Sequence, residues 1–231
     1  MANRNKYGFI DSRIPEALLI LDKKGYLQAN YVKLSSRLER SIALIPTYKS
    51  QERAVTTLMR EFTVSNKLED DAGSVWPSVD HLVDVGIERS TEYLRWRYAE
   101  AWSDYRLVSV LKANETMGYA VLKQRVNRGV ALLSVCEMLA RDDDVATYDI
   151  LIKEIVKVAR LAHAAYVELS SSCLPGYSDS IKKNGFFVPG LFQGRMRNAG
   201  AHLVGSSRNQ EIATTLKQAK WHHSIGDKDF A

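Results

Sequence analysis

Apolar positions along this chain recur at helical spacing more often than they alternate. Leu27, Tyr31, Leu34, Leu38 and Ile42 follow one another at gaps of three and four, the spacing of one buried helix face. Pro46 stops that run, and Ser50 stands where a cap is needed ahead of Ala54, Val55, Leu58, Met59 and Phe62. Upstream, "SRIPEALLIL" predicts a short helix starting at Pro15 and ending at Lys24–Gly25. Ser90 precedes a second stripe of Leu94, Tyr98, Trp102, Tyr105 and Val108, and "RGVALLSVCEMLA" reads as a further helix ending at Arg141. Asp144 caps the next helix, which runs through Ile150, Leu151, Ile155, Val158, Leu161, Ala162, Tyr166 and Leu169.

Between these stripes lie two connections. "KLEDDAGSVWPSVD", residues 67–80, is acidic and then holds Gly73 and Pro77. It separates an N-terminal arm with a small helical part, 1–70, from a larger bundle, 78–231. Ser78 then caps a short helix to Ile87. From Ser170 to Gly194 the Pro and Gly content predicts a long connection with one helical turn. Helix resumes through residues 195–203 and from Asn209 to Trp221, before a polar tail. No sustained period-two alternation and no Asn-Gly hairpin appear. The fold expected is all-α, a multi-helix bundle with an extended N-terminal arm and a C-terminal tail.

Charge changes this picture in one region. The chain of 231 residues carries a net charge of +5. Between Lys182 and His223 stand Lys182, Lys183, Arg195, Arg197, Arg208, Lys217 and Lys220 against the single acid Glu211, a local excess of six. Charge gathered in this way is a footprint for phosphates. "YLRWRYAEAWSDYR", residues 93–106, interleaves rings and arginines, as single-strand binders do. Tyr98, Trp102 and Tyr105 share a face there and read as core, which leaves Trp96 and Arg97 as candidate ligands.

Several chemistries lack their motifs. There is no P-loop, no Gly-rich dinucleotide fingerprint, no HExxH, no paired CxxC and no serine elbow. No cofactor and no metal are therefore expected. His222 and His223 are adjacent, which is poor geometry for one ion. "RDDD", residues 141–144, reads as a helix cap through Asp144. The two cysteines, Cys136 and Cys173, make no disulfide framework, which suits a reducing compartment, cytoplasmic or a virion interior. No apolar run approaches the ~18 residues of a membrane span.

The stretch "RMRNAGAHL", residues 195–203, places Arg197 and Asn198 ahead of His202. It resembles the R-x4-6-H motif of HEPN-domain ribonucleases. That resemblance implies a dimeric helical bundle that cleaves RNA without a metal. His202 would serve as acid or base for attack by the ribose 2′-hydroxyl, Arg197 would hold the phosphate, and Asn198 would orient a side chain or water.

Three readings follow. The leading one is a non-catalytic, self-associating assembly protein, coat- or nucleoprotein-like, that neutralises single-stranded RNA with Lys182, Lys183, Arg195, Arg197, Arg208, Lys217, Lys220, Trp96 and Arg97. The second is the ribonuclease. The third is an α-helical protein-interaction module.

Overall fold

The computed structural model describes residues 8–14, 16–30, 61–99, 105–170, 172–187, 201–207, 215 and 219–225. Its centre is a six-stranded mixed sheet, not a helical bundle. The strands are β2 (Glu16–Ile20), β3 (Thr63–Ser65), β4 (Tyr105–Lys112), β5 (Glu115–Asn127), β6 (Val130–Ala140) and β7 (Tyr166–Ser170). They lie in the order β2-β7-β6-β5-β4-β3. A separate two-stranded sheet pairs β1 (Gly8–Ile14) with β8 (Ala201–Ser207). The helices are α1 (Lys23–Asn30), the short α2 (Thr91–Leu94), α3 (Val145–Leu161) and α4 (Pro175–Lys183).

The all-α expectation is corrected, and the cause is burial. Every residue of β6 from Leu132 to Ala140 is buried. A strand covered on both faces shows a continuous apolar run instead of alternation. Such a run cannot be told from a buried helix by periodicity. The same holds for Ala17–Ile20, expected as helix and found in β2, and for Tyr166 and Leu169, expected on the preceding helix and found in β7. Tyr105 and Val108, placed on a helical stripe, lie on β4. The helix expected to end at Gly25 is replaced by one that begins at Lys23.

Two tight hairpins build the centre of the sheet. Ala113 and Asn114 join β4 to β5 with φ of 50° and 66°, and Arg128 and Gly129 join β5 to β6 with φ of 51° and 77°. Two successive positive φ values match the right-handed twist of the flanking strands. Neither turn carries the Asn-Gly pair.

Other elements follow the sequence closely. Asp144 caps α3, its carboxylate accepting the Thr147 N–H at 2.8 Å. Ser90 caps α2 through the Tyr93 N–H at 3.2 Å. The segment expected as a loop around Gly73 and Pro77 is a 3₁₀ helix, Ala72–Ser78, with Val75 and Trp76 in the core. Most of the stripes expected over 27–42 and 50–62 lie outside the described residues.

α3 lies against β4, β5 and β6 and buries Ile150, Leu151, Ile152, Ile155 and Ala159 completely. Its end at Leu161 lets the chain turn and enter β7 parallel to β6, with Leu133↔Val167 and Val135↔Leu169 in register. β2 closes that edge antiparallel to β7, and Phe187 bonds Leu18 in both directions at 2.8 and 2.9 Å. Among the described residues no helix is long and apolar enough to cross a membrane.

Leu139, 1% exposed on β6, tests this core. Leu139→Ala should lose about 2–5 kcal/mol in urea unfolding. Val126→Ala, at a position 70% exposed, should stay within about 0.5 kcal/mol of the parent.

Candidate active site at the parting of two parallel strands

β6 carries one residue more than β5 can match. Val121 pairs with Glu137 and Leu122 with Val135, so Cys136 is a bulge in mid-strand. Bulges bend a strand and re-aim its side chains. The ladder between β6 and β7 spans only Leu133–Val135 and Val167–Leu169. Beyond it β6 continues through Cys136–Ala140 with no β7 residue in register. The ladder between the two parallel strands ends at the bulge, one residue before the end of β7 at Ser170.

The bulge directs Glu137 into the core, 2% exposed. Its Oε1 accepts Tyr98 OH at 2.9 Å and Ser224 Oγ at 2.7 Å, and its Oε2 accepts Arg89 Nε at 3.2 Å. Arg89 is fully buried. It donates further to the Ile87 carbonyl and, at 3.4 Å, to Ser224 Oγ. Its guanidinium lies 5.8 Å from the Trp76 ring and 5.5 Å from the Tyr93 ring. Aromatic faces and a saturated carboxylate are what a buried guanidinium requires. Burial, with the Glu137 charge adding to it, pushes the Tyr98 phenol far above its ordinary range.

Chain from far along the sequence completes this cluster. Lys220 N donates to Asp84 Oδ2 at 2.7 Å, and Trp221 bridges Val85. His222 then packs on Trp76 at 5.5 Å, with its Nδ1 3.0 Å from Ser172 Oγ.

α4 lies across the end of β7. Tyr177 on its first turn donates from its hydroxyl to the Ser170 carbonyl at 2.7 Å. Burial first, and the Glu137 charge second, raise the Tyr177 phenol well above its usual value, so it stays protonated. Its ring meets Tyr148 of α3 edge-on at 5.4 Å. Asp143, just before α3, accepts the Gly176 and Tyr177 N–H groups at 2.5 and 3.1 Å. Gly176 has no alternative there, because a Cβ would stand 2.0 Å from the Asp143 carbonyl oxygen.

The basic and aromatic residues singled out in the sequence are not gathered here. Lys182 and Lys183 end α4, and Lys183 is paired with Asp149 at 2.5 Å. Trp96, 57% exposed, and Arg97 sit on a five-residue π-helical turn, Arg95–Ala99, with the Arg97 guanidinium 5.9 Å from the Tyr98 ring. Lys220 belongs to the extended segment against Asp84. Arg195, Arg197, Asn198, Arg208 and Lys217 lie outside the described residues. His202 falls in β8 opposite Arg13, in a strand where helix was expected. Sequence reading missed Arg89, Glu137 and Tyr177. The signal for Glu137 was present: one carboxylate inside the apolar run "VCEML" must have a buried partner.

No family model matches the sequence, and no curated protein matches it either. Solved structures resemble it at low identity. An acetyltransferase of Trypanosoma brucei aligns at 17% identity over 59% of this chain and 98% of its own, with a TM-score of 0.40. A GCN5-related N-acetyltransferase of Anabaena variabilis aligns at 8% identity over 80% of this chain and 40% of its own, with a TM-score of 0.49. A transcriptional regulator of Bacillus halodurans aligns at 11% identity over 62% of this chain and 99% of its own, with a TM-score of 0.43. At these scores no activity or residue role passes to this chain.

The reading as an all-α, RNA-coating assembly protein is corrected, and with it the helical interaction module: each was built on a bundle, and the described residues form a mixed sheet. The nucleic-acid partner falls with it. Of the ribonuclease motif, His202 lies in a strand, and Arg197 and Asn198 lie outside the described residues.

Two measurements test the site's electrostatics. Glu137→Ala leaves Arg89 buried without its carboxylate and should cost about 3–5 kcal/mol, whereas Arg89→Met with Glu137→Leu should recover most of that in chemical unfolding. Burial raises Asp143 above 3.8, the N–H bonds from Gly176 and Tyr177 and the Tyr148 hydroxyl oppose this, and the Asp179 charge adds to the rise. The native state therefore keeps this proton to higher pH than the unfolded chain. Stability from this group falls as pH rises from 3.8 through the raised value. Asp143→Asn should flatten that slope in a urea-midpoint series against pH.

Proposed function

We propose that this chain is a group-transfer enzyme of the N-acyltransferase type. The observation that carries the reading is the parting of β6 and β7 at the Cys136 bulge. An extended ligand that itself carries amide groups can pair with a strand beyond the end of its ladder, as an added strand. Parted strand ends in sheets with parallel pairs are also where small ligands bind. An acyl donor with an amide-bearing arm has that shape.

Backbone N–H groups along the bulged strand can face the oxyanion that forms when an amine attacks the acyl carbon. The amine nitrogen forms the new C–N bond. The C–S bond of a thioester donor breaks with its electron pair on sulfur, and the proton lost by nitrogen ends on that sulfur. Glu137 acts as a positioning residue, since three donors fix its carboxylate and with it the bulge. Tyr177, whose one hydroxyl proton is held by the Ser170 carbonyl, acts as a second positioning residue that fixes α4 over the end of β7.

Mass spectrometry of amines incubated with the protein and a panel of acetyl thioesters tests this. Acetylated amine should form, and Tyr177→Phe, which removes the buried bond to the Ser170 carbonyl, should lower both its rate of formation and the thermal stability. Absence of acetylated amine with every donor and amine of the panel defeats the reading.

A further inference from the structure

A cavity opens on the other flank of the sheet, and the acyl-transfer reading makes no use of it. The strand order places β5 and β4 between β6 and β3, so this flank lies on the side of β6 away from β7. β3 pairs with β4 only from Ser109 to Leu111. Past Ser65 the chain is tied to β4 by Ser109 Oγ, which donates to the Lys67 carbonyl at 2.8 Å. The first half of β4, residues 105–108, then faces the second half of α3 across a cavity of about 460 Å³. That volume falls within the roughly 300–1,000 Å³ of small-molecule sites.

The lining divides by chemistry. Leu107, Val108 and Val158 are apolar; Val108 is buried, and Leu107 and Val158 pack against the core. Leu161, at the end of α3, extends this surface and is 70% exposed. A single exposed leucine is ordinary, but this one adjoins a concave apolar surface. Two cations and one carboxylate share the lining. Lys157 already has its partner, Glu154 Oε2 at 3.1 Å. Arg106 is exposed, and among the described residues its guanidinium meets neither a carboxylate nor a hydrogen-bond acceptor. The lining therefore holds one positive charge that the chain does not balance.

Apolar surface beside an unbalanced guanidinium selects an apolar body with one anionic head. A carboxylate brings the single charge that is needed, and its two oxygens match the planar fork of the guanidinium. We propose that this cavity binds a small organic carboxylate, its head on Arg106 and its apolar body on Leu107, Val158 and Leu161. The proposal stands apart from the acyl-transfer reading and does not depend on it.

Calorimetric titration of the full chain with 2-naphthoate and with 2-naphthamide, its uncharged isostere, tests this. The acid should bind at a saturable site, at least about tenfold more tightly than the amide, as a charge-assisted hydrogen bond allows. Added salt should weaken the acid and leave the amide unchanged. Arg106→Gln should weaken the acid about tenfold and spare the amide. Leu161→Ser should weaken both. Both positions are exposed, so neither variant should move the urea midpoint. Three results overturn the proposal: no saturable binding of the acid, equal affinity for acid and amide, or an acid affinity that Arg106→Gln leaves unchanged.

Discussion

A single extra residue in β6 organises this molecule. β6 is bonded on one side to β5 and on the other to β7, antiparallel and parallel in turn. A bulge in such a strand cannot be absorbed locally, because both neighbours must respond. β5 stays in register by skipping Cys136, and the ladder to β7 ends there. The re-aimed Glu137 then needs donors, and it takes them from three distant stretches: Arg89, Tyr98 and Ser224. A buried carboxylate without such partners would neutralise or unfold its surroundings. The path of 84–89 and of 219–225 over the sheet follows from that demand.

What the sequence disclosed and what it hid divide along one physical line. Local, solvent-facing devices were legible. The Asp144 cap was read from residues alone, because an N-cap depends on its own turn and on nothing distant. The body of α3 was legible too, since one of its faces remains polar. The strands were not. β6 and β7 are covered on both sides, so their apolar runs carry no period to read. The error then spread, because the sheet was the missing context for every functional reading built on a helical bundle. Glu137 was visible only as an oddity. Its partners lie 39, 48 and 87 residues away along the chain, a distance that periodicity does not span.

The starts of α3 and α4 show the same economy of donors. Orphan N–H groups at a helix N-terminus attract any anion within reach. Here the chain's own carboxylates arrive first. Asp143 serves α4 and Asp144 serves α3, so adjacent residues fix two different helices. This accounts for two of the three acids in the row, at a point where the helix dipoles favour them.

The order of strands has a consequence for how the chain assembles. β4, β5 and β6 are joined by two-residue turns, so they can pair as soon as they exist, on the microsecond scale of hairpins. β2 cannot. Its partner is β7, with Ala17 opposite Leu169, and it must cross the time needed to make everything between them. On a ribosome adding about 5–20 residues each second, that wait is many seconds. Throughout it, the meander is formed, β7 is absent, and the apolar run Ala17–Ile20 has no edge to join. The strand that closes this edge of the six-stranded sheet is therefore among the first to be synthesised and must wait for β7.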